Sequence, residues 1–513
     1  WADVSNAPIQ VLTAFAKTFF ARHSLLNVLT KYCVLTHEGM LLVMRPYQIV
    51  ATEKILQRVN TSINSKTLGT VEAGGYIWHT TGSGKTLTSF KAAQLVSRMP
   101  SVEKVLFVVD RKDLDFQTMQ EYDRFEKGAV NSSKTTAILK KQLEDSTSRI
   151  IVTTIQKLAK FIEGNKGHSI YDGHAVIIFD ECHRSQFGDM HKSITKAFKR
   201  YNLFGFTGTP IFSANAATGG NPQLKTTAQA FGEKLHTYTI VDAITDKNVL
   251  PFRIDFVNTV KAGANFKDKK ISAIDTERAL LDPARVSGIV GYILEHFDQK
   301  TRRSENYALA GKRLSGFNSL FATASIDAAK TYYQEFKRQQ AALPDDQKLK
   351  VGIIYSYAAN EEVAEGILDE EEFETDALSI DARTFLDGAI ADYNAMFGAS
   401  YDSSSDNFQN YYKNLSQRLK QRELDIVIVV NMFLTGFDAT TLNTLWVDKN
   451  LRSHGLIQAY SRTNRILNSV KTYGNIVSFR DLDSETNDAI ALFGNKDAKG
   501  VVLLKPYQDY YSE

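Results

Sequence analysis

Eight consecutive residues, His79-Thr80-Thr81-Gly82-Ser83-Gly84-Lys85-Thr86, set two glycines before a lysine and a threonine. Glycine at 82 and 84 lets backbone N–H groups approach phosphate oxygens that any Cβ would hold off. Lys85 would then reach the outer phosphates of a nucleoside triphosphate, and the Thr86 hydroxyl would complete the oxygen shell of a Mg²⁺ ion. Thr81 and Ser83 are the polar members of the same loop. A strict phosphate-loop pattern has glycine five positions before Gly84, where this chain has His79. The alternative is a Gly/Ser turn that only caps a helix.

Two neighbouring carboxylates, Asp180 and Glu181, follow the apolar run 175–179 and precede Cys182 and His183. Acids at the end of a buried strand need compensation, because uncompensated buried charge is costly. Asp180 on Mg²⁺, with Glu181 orienting or deprotonating a water, supplies it. An exposed acidic turn is the alternative, and one cysteine beside one histidine lacks the spacing of a zinc site. Thr207 and Thr209 flank Gly208 in a Thr-Gly-Thr-Pro turn, where their hydroxyls could sense a terminal phosphate. Gln458, Arg462 and Arg465 stand at i, i+4 and i+7, so a continuous helix would put one amide and two guanidiniums on one face. That face suits charge on a transferring phosphoryl group; a solvated basic stripe is the alternative. Upstream, Arg45-Pro46-Tyr47-Gln48 opens a helix, and a glutamine amide can both donate to and accept from an adenine edge.

These groups are far apart in sequence and need a scaffold that gathers them. Residues 76–78, 105–109, 150–153, 175–179 and 203–206 are apolar runs separated by helical spacing, the pattern of a parallel sheet covered on both faces. Ligands on such sheets sit at the carboxyl ends of strands. There Arg111, Lys112, Thr154 and Gln156 offer donors to a phosphodiester backbone, or simply cap helices. A second alternation, at 319–322, 351–355, 426–430, 445–447 and 476–479, predicts a second α/β lobe. Between the two, Pro251 reads as a linker and 252–313 as largely helical. Residues 1–44 read as helix and connector, with Val11, Phe15 and Phe19 forming a packing stripe. The acidic run from Glu361 to Asp376 and the loop at 399–407 predict an insertion near 357–420.

At 513 residues the chain exceeds one core. A net charge of +3 leaves nucleic-acid binding to local grooves rather than to a basic surface. Cys33 and Cys182 are the only cysteines, which excludes a disulfide framework and fits a reducing cytosol. No apolar run is longer than 426–430, which is far short of a bilayer span. The start at Trp1 rather than Met reads as that of a fragment.

Taken in order, the stretches resemble the motif set of superfamily 2 helicases and translocases: the adenine motif at 45–48, Walker A at 81–86, Walker B at 180–183, motif III at 207–210, motif V at 435–438 and motif VI at 458–465. More narrowly, His79–Thr86, Asp180-Glu181-Cys182-His183-Arg184-Ser185-Gln186-Phe187-Gly188, Phe206–Pro210 and Thr435-Gly436-Phe437-Asp438-Ala439 resemble the motor subunit of type I restriction enzymes, in which His at the first Walker position is normal. The resemblance implies an α/β fold of two RecA-like lobes, each a parallel sheet with helices on both faces, over 45–245 and 246–485, followed by a C-terminal extension at 486–513. It implies ATP and Mg²⁺ as cofactors, with Arg45, Gln48, Gly436, Asp438 and Gln458 around the nucleotide. Lys85, Glu181, Arg462 and Arg465 would be catalytic, and Thr323 and Thr435 would add contacts to DNA. Implied partners are double-stranded DNA and the methylase and specificity subunits, in the bacterial cytoplasm, without a membrane. A nuclease core is not found: Glu335-Phe336-Lys337 lacks a paired upstream Asp and reads as a surface salt-bridge pattern. A strand-separating helicase, a remodeller-type ATPase and a non-catalytic nucleotide-gated scaffold stay open at this point.

Overall fold

The computed structural model describes residues 1–3, 6–109, 121–122, 124–125, 131–132, 135–182, 189–216, 225–257, 280–355, 378–494 and 499–504. The chain divides into two units, Trp1–Ala243 and Ile244–Glu513.

In chain order the first unit contains β1 (Cys33–Leu35), β2 (Leu41–Val43), β3 (Gly75–His79), β4 (Lys104–Val109), β5 (Asn131–Ser132), β6 (Ile150–Thr154), β7 (His174–Phe179), β8 (Arg200–Thr207) and β9 (Lys234–Tyr238). β1 and β2 pair as an antiparallel hairpin, and the other seven make one parallel sheet in the order β5-β6-β4-β7-β8-β3-β9. Every residue of β3, β4, β6 and β7 is buried, as strands covered on both faces must be. Helices Pro46–Asn64 and Lys85–Ser97 close one face, packing Ile55, Val59, Phe90 and Val96 onto Val105, Phe107, Val176 and Phe204. Gly205 on β8 leaves room for Cys182, whose Sγ would lie 2.6 Å from a Cβ there. The short strands β5 and β9 carry no continuous apolar run and escape a reading based on such runs.

The N-terminal stretch is more than a helical connector. After helices Leu12–Phe19 and Arg22–Thr30 it forms the β1–β2 hairpin. The expected packing stripe is corrected too: Val11 lies before the first helix and is 63% exposed, and that helix has no buried residue. Phe15 and Phe19 stack on each other at 5.1 Å instead.

The second unit contains β10 (Phe252–Phe256), β11 (Asn306–Leu309), β12 (Lys312–Ser315), β13 (Asn318–Thr323), β14 (Val351–Ile354), β15 (Ile426–Val429), β16 (Leu442–Asp448) and β17 (Gly474–Ser478). Six of them form a parallel sheet in the order β10-β17-β16-β13-β15-β14. The helical reading of 252–313 is therefore only partly right. Helix Pro283–Lys300 is present, but β10 edges the sheet and β11 pairs with β12. Pro251 immediately precedes β10, and its carbonyl accepts from Gly474 N at 2.9 Å, so it starts an edge strand rather than a free linker. The acidic run 361–376 lies outside the described residues. The rest of the expected insertion is tied into the unit: Tyr411 on helix Ser405–Lys420 donates to the Ile353 carbonyl at 2.7 Å, and Tyr355 donates to Ala382 on helix Ile380–Phe397 at 2.7 Å.

A buried ionic cluster ties this unit together at the carboxyl end of β16. Asp448 accepts from Arg285 Nη2 at 2.6 Å and Nη1 at 3.1 Å, from Arg480 Nε at 2.6 Å and from the Tyr332 hydroxyl at 2.7 Å. Burial works against its charge, but the bonds and charges of Arg285 and Arg480 outweigh this and hold the carboxyl below its ordinary range. Asp448→Ala would strand two buried guanidiniums, so urea unfolding should show a loss of about 3–5 kcal/mol. A loss under about 1 kcal/mol would contradict the cluster's structural role.

Candidate functional site

The strand order decides which motifs meet in the first unit. β7, β8 and β3 are consecutive neighbours, so the stretches after them leave the same sheet edge side by side. These are Asp180–Glu181, Thr207–Thr209 and the loop 80–86. Phe179 pairs with Gly205 and Trp78 with Thr207, which sets the three at similar height.

The loop between β3 and helix Lys85–Ser97 holds Gly82 at φ +89° and Gly84 at φ +78°, both in the left-handed region that favours glycine. Gly82 and Gly84 are exposed, while Thr81, Ser83 and Lys85 are buried and Thr86 is half-buried. Ser83 Oγ donates to the Thr80 carbonyl at 2.6 Å, and the Tyr47 hydroxyl donates to the Ser83 carbonyl at 2.5 Å. Gln48 braces the loop from behind: its Nε2 donates to Gly84 O at 3.2 Å, and its Oε1 accepts from Arg45 N at 2.9 Å. Arg45 itself is exposed.

Lys85 Nζ lies 3.4 Å from Glu181 Oε1, joining the loop after β3 to the acid after β7. Glu181 has φ +44°, an unusual conformation for a residue with a Cβ, and its N–H donates to Asp180 Oδ1 at 3.0 Å. Burial and the neighbouring Glu181 charge push the Asp180 carboxyl up to about 7, with Lys85 acting in the opposite direction. Thr207 and Thr209 are buried, and Thr209 N donates to Thr207 Oγ1 at 3.0 Å. Gly208 between them lies against the loop 80–86: its carbonyl accepts from Trp78 Nε1 at 3.2 Å, and a Cβ there would meet Thr81 Oγ1 at 2.9 Å.

In the second unit, the stretches 434–438 and 458–465 meet, but not as a continuous helix. The helix is Ser453–Tyr460, and both arginines lie beyond it. It ends because Arg462 N and Thr463 N bond three residues back, to Ala459 O and Tyr460 O, and Thr463 Oγ1 takes the Tyr460 carbonyl at 2.8 Å. The shared helical face of Gln458, Arg462 and Arg465 is thus replaced by a turn. Arg462 is buried, with Nε donating to Gln458 O at 3.1 Å and Nη1 to Phe437 O. Arg465 donates through Nε to Asp438 Oδ1 at 2.8 Å. Desolvation opposes the Asp438 charge, but Arg465 and Arg462 hold its carboxyl below the ordinary range. Gly436 takes φ +72° in the same turn.

The candidate DNA contacts fare unevenly. Thr154 is buried and caps helix Ile155–Gly164, accepting from Lys157 N at 3.3 Å, so the capping alternative holds for it. Thr323 is buried and donates to Val429 O at 3.1 Å. Thr435 is buried and Gln156 exposed. Arg111 and Lys112 lie outside the described residues. Glu335, the acid of the Glu-x-Lys pattern, pairs with Arg338 at 2.6 Å, as a salt-bridge reading expects.

A family model described as SWI2/SNF2 ATPase matches residues 47–282, and one described as type I restriction enzyme subunit R domain 3 matches 315–481. A type I restriction enzyme endonuclease subunit of Staphylococcus aureus is 42% identical over 521 residues, covering 100% of this chain and 52% of that relative. The C-terminal part of a candidate type I restriction enzyme endonuclease subunit of Mycoplasma pneumoniae is 50% identical over 204 residues, covering 39% of this chain and 99% of that part. The chain belongs to the family of type I restriction enzyme endonuclease subunits. It spans about half the length of the S. aureus subunit. The fold of this family member, α/β with two RecA-like lobes, is shared with a fragment described as a candidate HsdR subunit of a type I restriction enzyme from Vibrio vulnificus, at TM-score 0.54 and 16% identity over 89% of this chain and 66% of that one. Among the described residues, no helix is long and apolar enough to cross a membrane.

Two side chains of this restriction-subunit relative were not singled out from sequence. Tyr47 stands inside the adenine-type tetrapeptide, yet it is its hydroxyl that reaches the loop. Lys471 is buried below the 434–438 turn, with Nζ donating to Thr440 O at 2.9 Å and Leu442 O at 2.6 Å. Burial first, then Arg465, drives its ammonium well below the ordinary lysine range. A lysine between two ordinary loop stretches carries no pattern that marks it.

The raised carboxyl of Asp180 has a measurable consequence. Between its ordinary 3.8 and about 7 the folded protein keeps a proton that the unfolded chain has lost. Stability in metal-free buffer should therefore fall as pH rises through that window. Asp180→Asn should flatten this part of the thermal-midpoint profile, and an unchanged slope in that variant would refute the assignment.

Proposed function

We propose that this chain is the ATP-driven motor region of a type I restriction endonuclease subunit, hydrolysing ATP on stimulation by DNA and translocating along the duplex. The observation that carries the reading is the joint placement of Lys85, Asp180 and Glu181 at the ends of the neighbouring strands β3 and β7, with the Thr207–Thr209 turn of β8 between them. Membership of a restriction-enzyme family and the SWI2/SNF2 ATPase match support it.

The site suits a Mg²⁺ nucleotide. Asp180 and Thr86 are oxygen donors of the hard type that Mg²⁺ prefers, and a cation there would offset the burial and the Glu181 charge that push the Asp180 carboxyl up. When bound, the ion would neutralise charge on the transferring phosphoryl group. Backbone N–H groups of 82–86 would cradle the phosphates, and Lys85 would exchange Glu181 for them. Glu181, so released, would orient the attacking water and accept its proton. Arg45 and Gln48 stand at the adenine end of this reading. In the second unit Arg465 is the candidate finger, held by Asp438 until nucleotide competes for it, with Arg462 and Gln458 shaping its turn. Cycles of binding and hydrolysis would make and release DNA contacts in alternation. Partners on this reading are double-stranded DNA and the methylase and specificity subunits, in the bacterial cytoplasm.

Steady-state ATPase measurements with and without long duplex DNA, alongside triplex displacement, test the proposal. Stimulation by single-stranded RNA but not by duplex DNA would instead indicate an RNA-dependent ATPase. Lys85→Ala should abolish turnover and leave unfolding cooperative. Glu181→Gln should retain Mg²⁺-nucleotide binding while turnover falls about 10²–10⁴-fold. Normal turnover in that variant would place the base elsewhere.

The two arginines should behave differently. Arg465→Ala should lower DNA-stimulated turnover by about 10³-fold or more with little change in nucleotide affinity. Its stability loss should stay below about 1 kcal/mol: the Arg465 side chain is only 11% exposed, but the Asp438 carboxylate it would leave is 57% exposed and can be solvated. Arg462→Ala uncovers buried carbonyls and should cost about 1–3 kcal/mol of stability. Equal stability losses in the two variants would contradict this division.

A further inference from the structure

A strand that carries none of the recognised motifs bonds directly to the loop at 80–86. β9 forms the edge of the first sheet next to β3, and its His236 Nδ1 lies 2.9 Å from His79 Nε2. Both rings are buried, and their other ring nitrogens, His79 Nδ1 and His236 Nε2, have no hydrogen-bond partner among the described residues. The mutual bond is thus the polar anchor of each ring. Two residues on, Tyr238 stacks on Tyr47 with centroids 3.6 Å apart and planes 8° apart, and its carbonyl accepts from Thr80 N at 2.9 Å. Tyr47 in turn packs edge-on against His79 at 5.3 Å and donates its hydroxyl to the Ser83 carbonyl at 2.5 Å.

Two side-chain routes therefore run from β9 to the loop: His236 to His79 at its first position, and Tyr238 through Tyr47 to Ser83. A glycine at 79 would leave only backbone to set the start of the loop. Histidine instead adds a directed tie, which works while one ring donates and the other accepts, as two neutral rings do. Burial keeps them so: it drives His79 well below the ordinary imidazole range, helped by His236 and Lys85, and takes His236 to about 4, helped by Lys54.

We propose that His236 and Tyr238 are positioning residues for nucleotide binding, holding His79 and Tyr47, and through them the phosphate loop, in the conformation that receives phosphates. The proposal rests on the nucleotide reading above. It assigns a role in that reaction to a strand outside the motif set.

The test uses the whole chain with a non-hydrolysable ATP analogue and Mg²⁺ for affinity, steady-state ATPase for KM and kcat, and thermal unfolding for integrity. His236→Phe preserves ring packing and removes the bond. It should unfold cooperatively, with analogue affinity weaker and KM for ATP higher by about fivefold or more, and kcat within about twofold. His236→Gln, which restores a polar partner, should recover part of the loss. A lowered unfolding temperature with unchanged KM and analogue affinity would show packing alone and overturn the proposal. If His236→Phe does not fold, His79→Leu, His236→Leu and their double variant, each without the bond, decide. A double variant no worse in KM than the worse single supports one shared tie, and additive or absent KM effects overturn it. Failure of the unchanged protein to bind the analogue would remove the nucleotide reading and this proposal together. Equal binding by the unchanged protein and all variants would remove only the proposal.

Discussion

The pairing of Phe179 with Gly205 and of Trp78 with Thr207 sets the geometry on which the first unit's chemistry depends. Neighbouring strands lie about 4.8 Å apart, so the ends of β7, β8 and β3 span roughly 10 Å, a scale that suits the proposed triphosphate. A parallel sheet directs all three ends the same way, and helices on both faces keep the strands too buried to slip. Gly205 and Gly208 are the local conditions for this register. One makes room for Cys182 behind the carboxylates, and the other lets the β8 turn lie against Thr81.

The two sheets treat an aspartate at a strand end in opposite ways. Asp448 receives bonds from Arg285, Arg480 and Tyr332, which outweigh burial and keep it ionised. Asp180 has the Lys85 charge and the Glu181 N–H to set against burial and the Glu181 charge, and these do not suffice: its carboxyl is pushed up. A satisfied acid holds a fold together; an acid left short of compensation is suited to a cation that arrives with a ligand. The left-handed backbone of Glu181 beside it belongs to the same pattern, since such conformations persist where surrounding structure holds them.

Around the second unit's turn, ionic groups are arranged in layers. Lys471 lies deepest and binds backbone carbonyls, Arg462 fixes the carbonyls of Phe437 and Gln458, and Arg465 reaches the partly exposed Asp438. Depth separates these cations, because a buried guanidinium that leaves its acceptors strands them, while Arg465, itself only 11% exposed, bonds an acid that solvent can still reach.

Much of this was legible in the residues alone. Continuous apolar runs require strands covered on both faces, and Gly-Ser-Gly-Lys-Thr and Asp-Glu have few other uses at strand ends, so two α/β lobes and the first unit's chemical groups follow from local pattern. Pattern failed where an outcome depended on distant partners. The spacing of Gln458, Arg462 and Arg465 fits a helix, but Thr463 and bonds to residues three back end it at Tyr460. The strands β9 and β10 lack a continuous apolar run, and only neighbours in the sheet make strands of them. Thr154 and Thr323 carry hydroxyls suited to a phosphate backbone, yet burial commits them to their own chain. Sequence determined which groups were available, since that is a matter of covalent chemistry and short-range periodicity. Tertiary structure decided which of them are compensated, which are left for a ligand and which merely brace the others, because burial and pairing depend on residues hundreds of positions away.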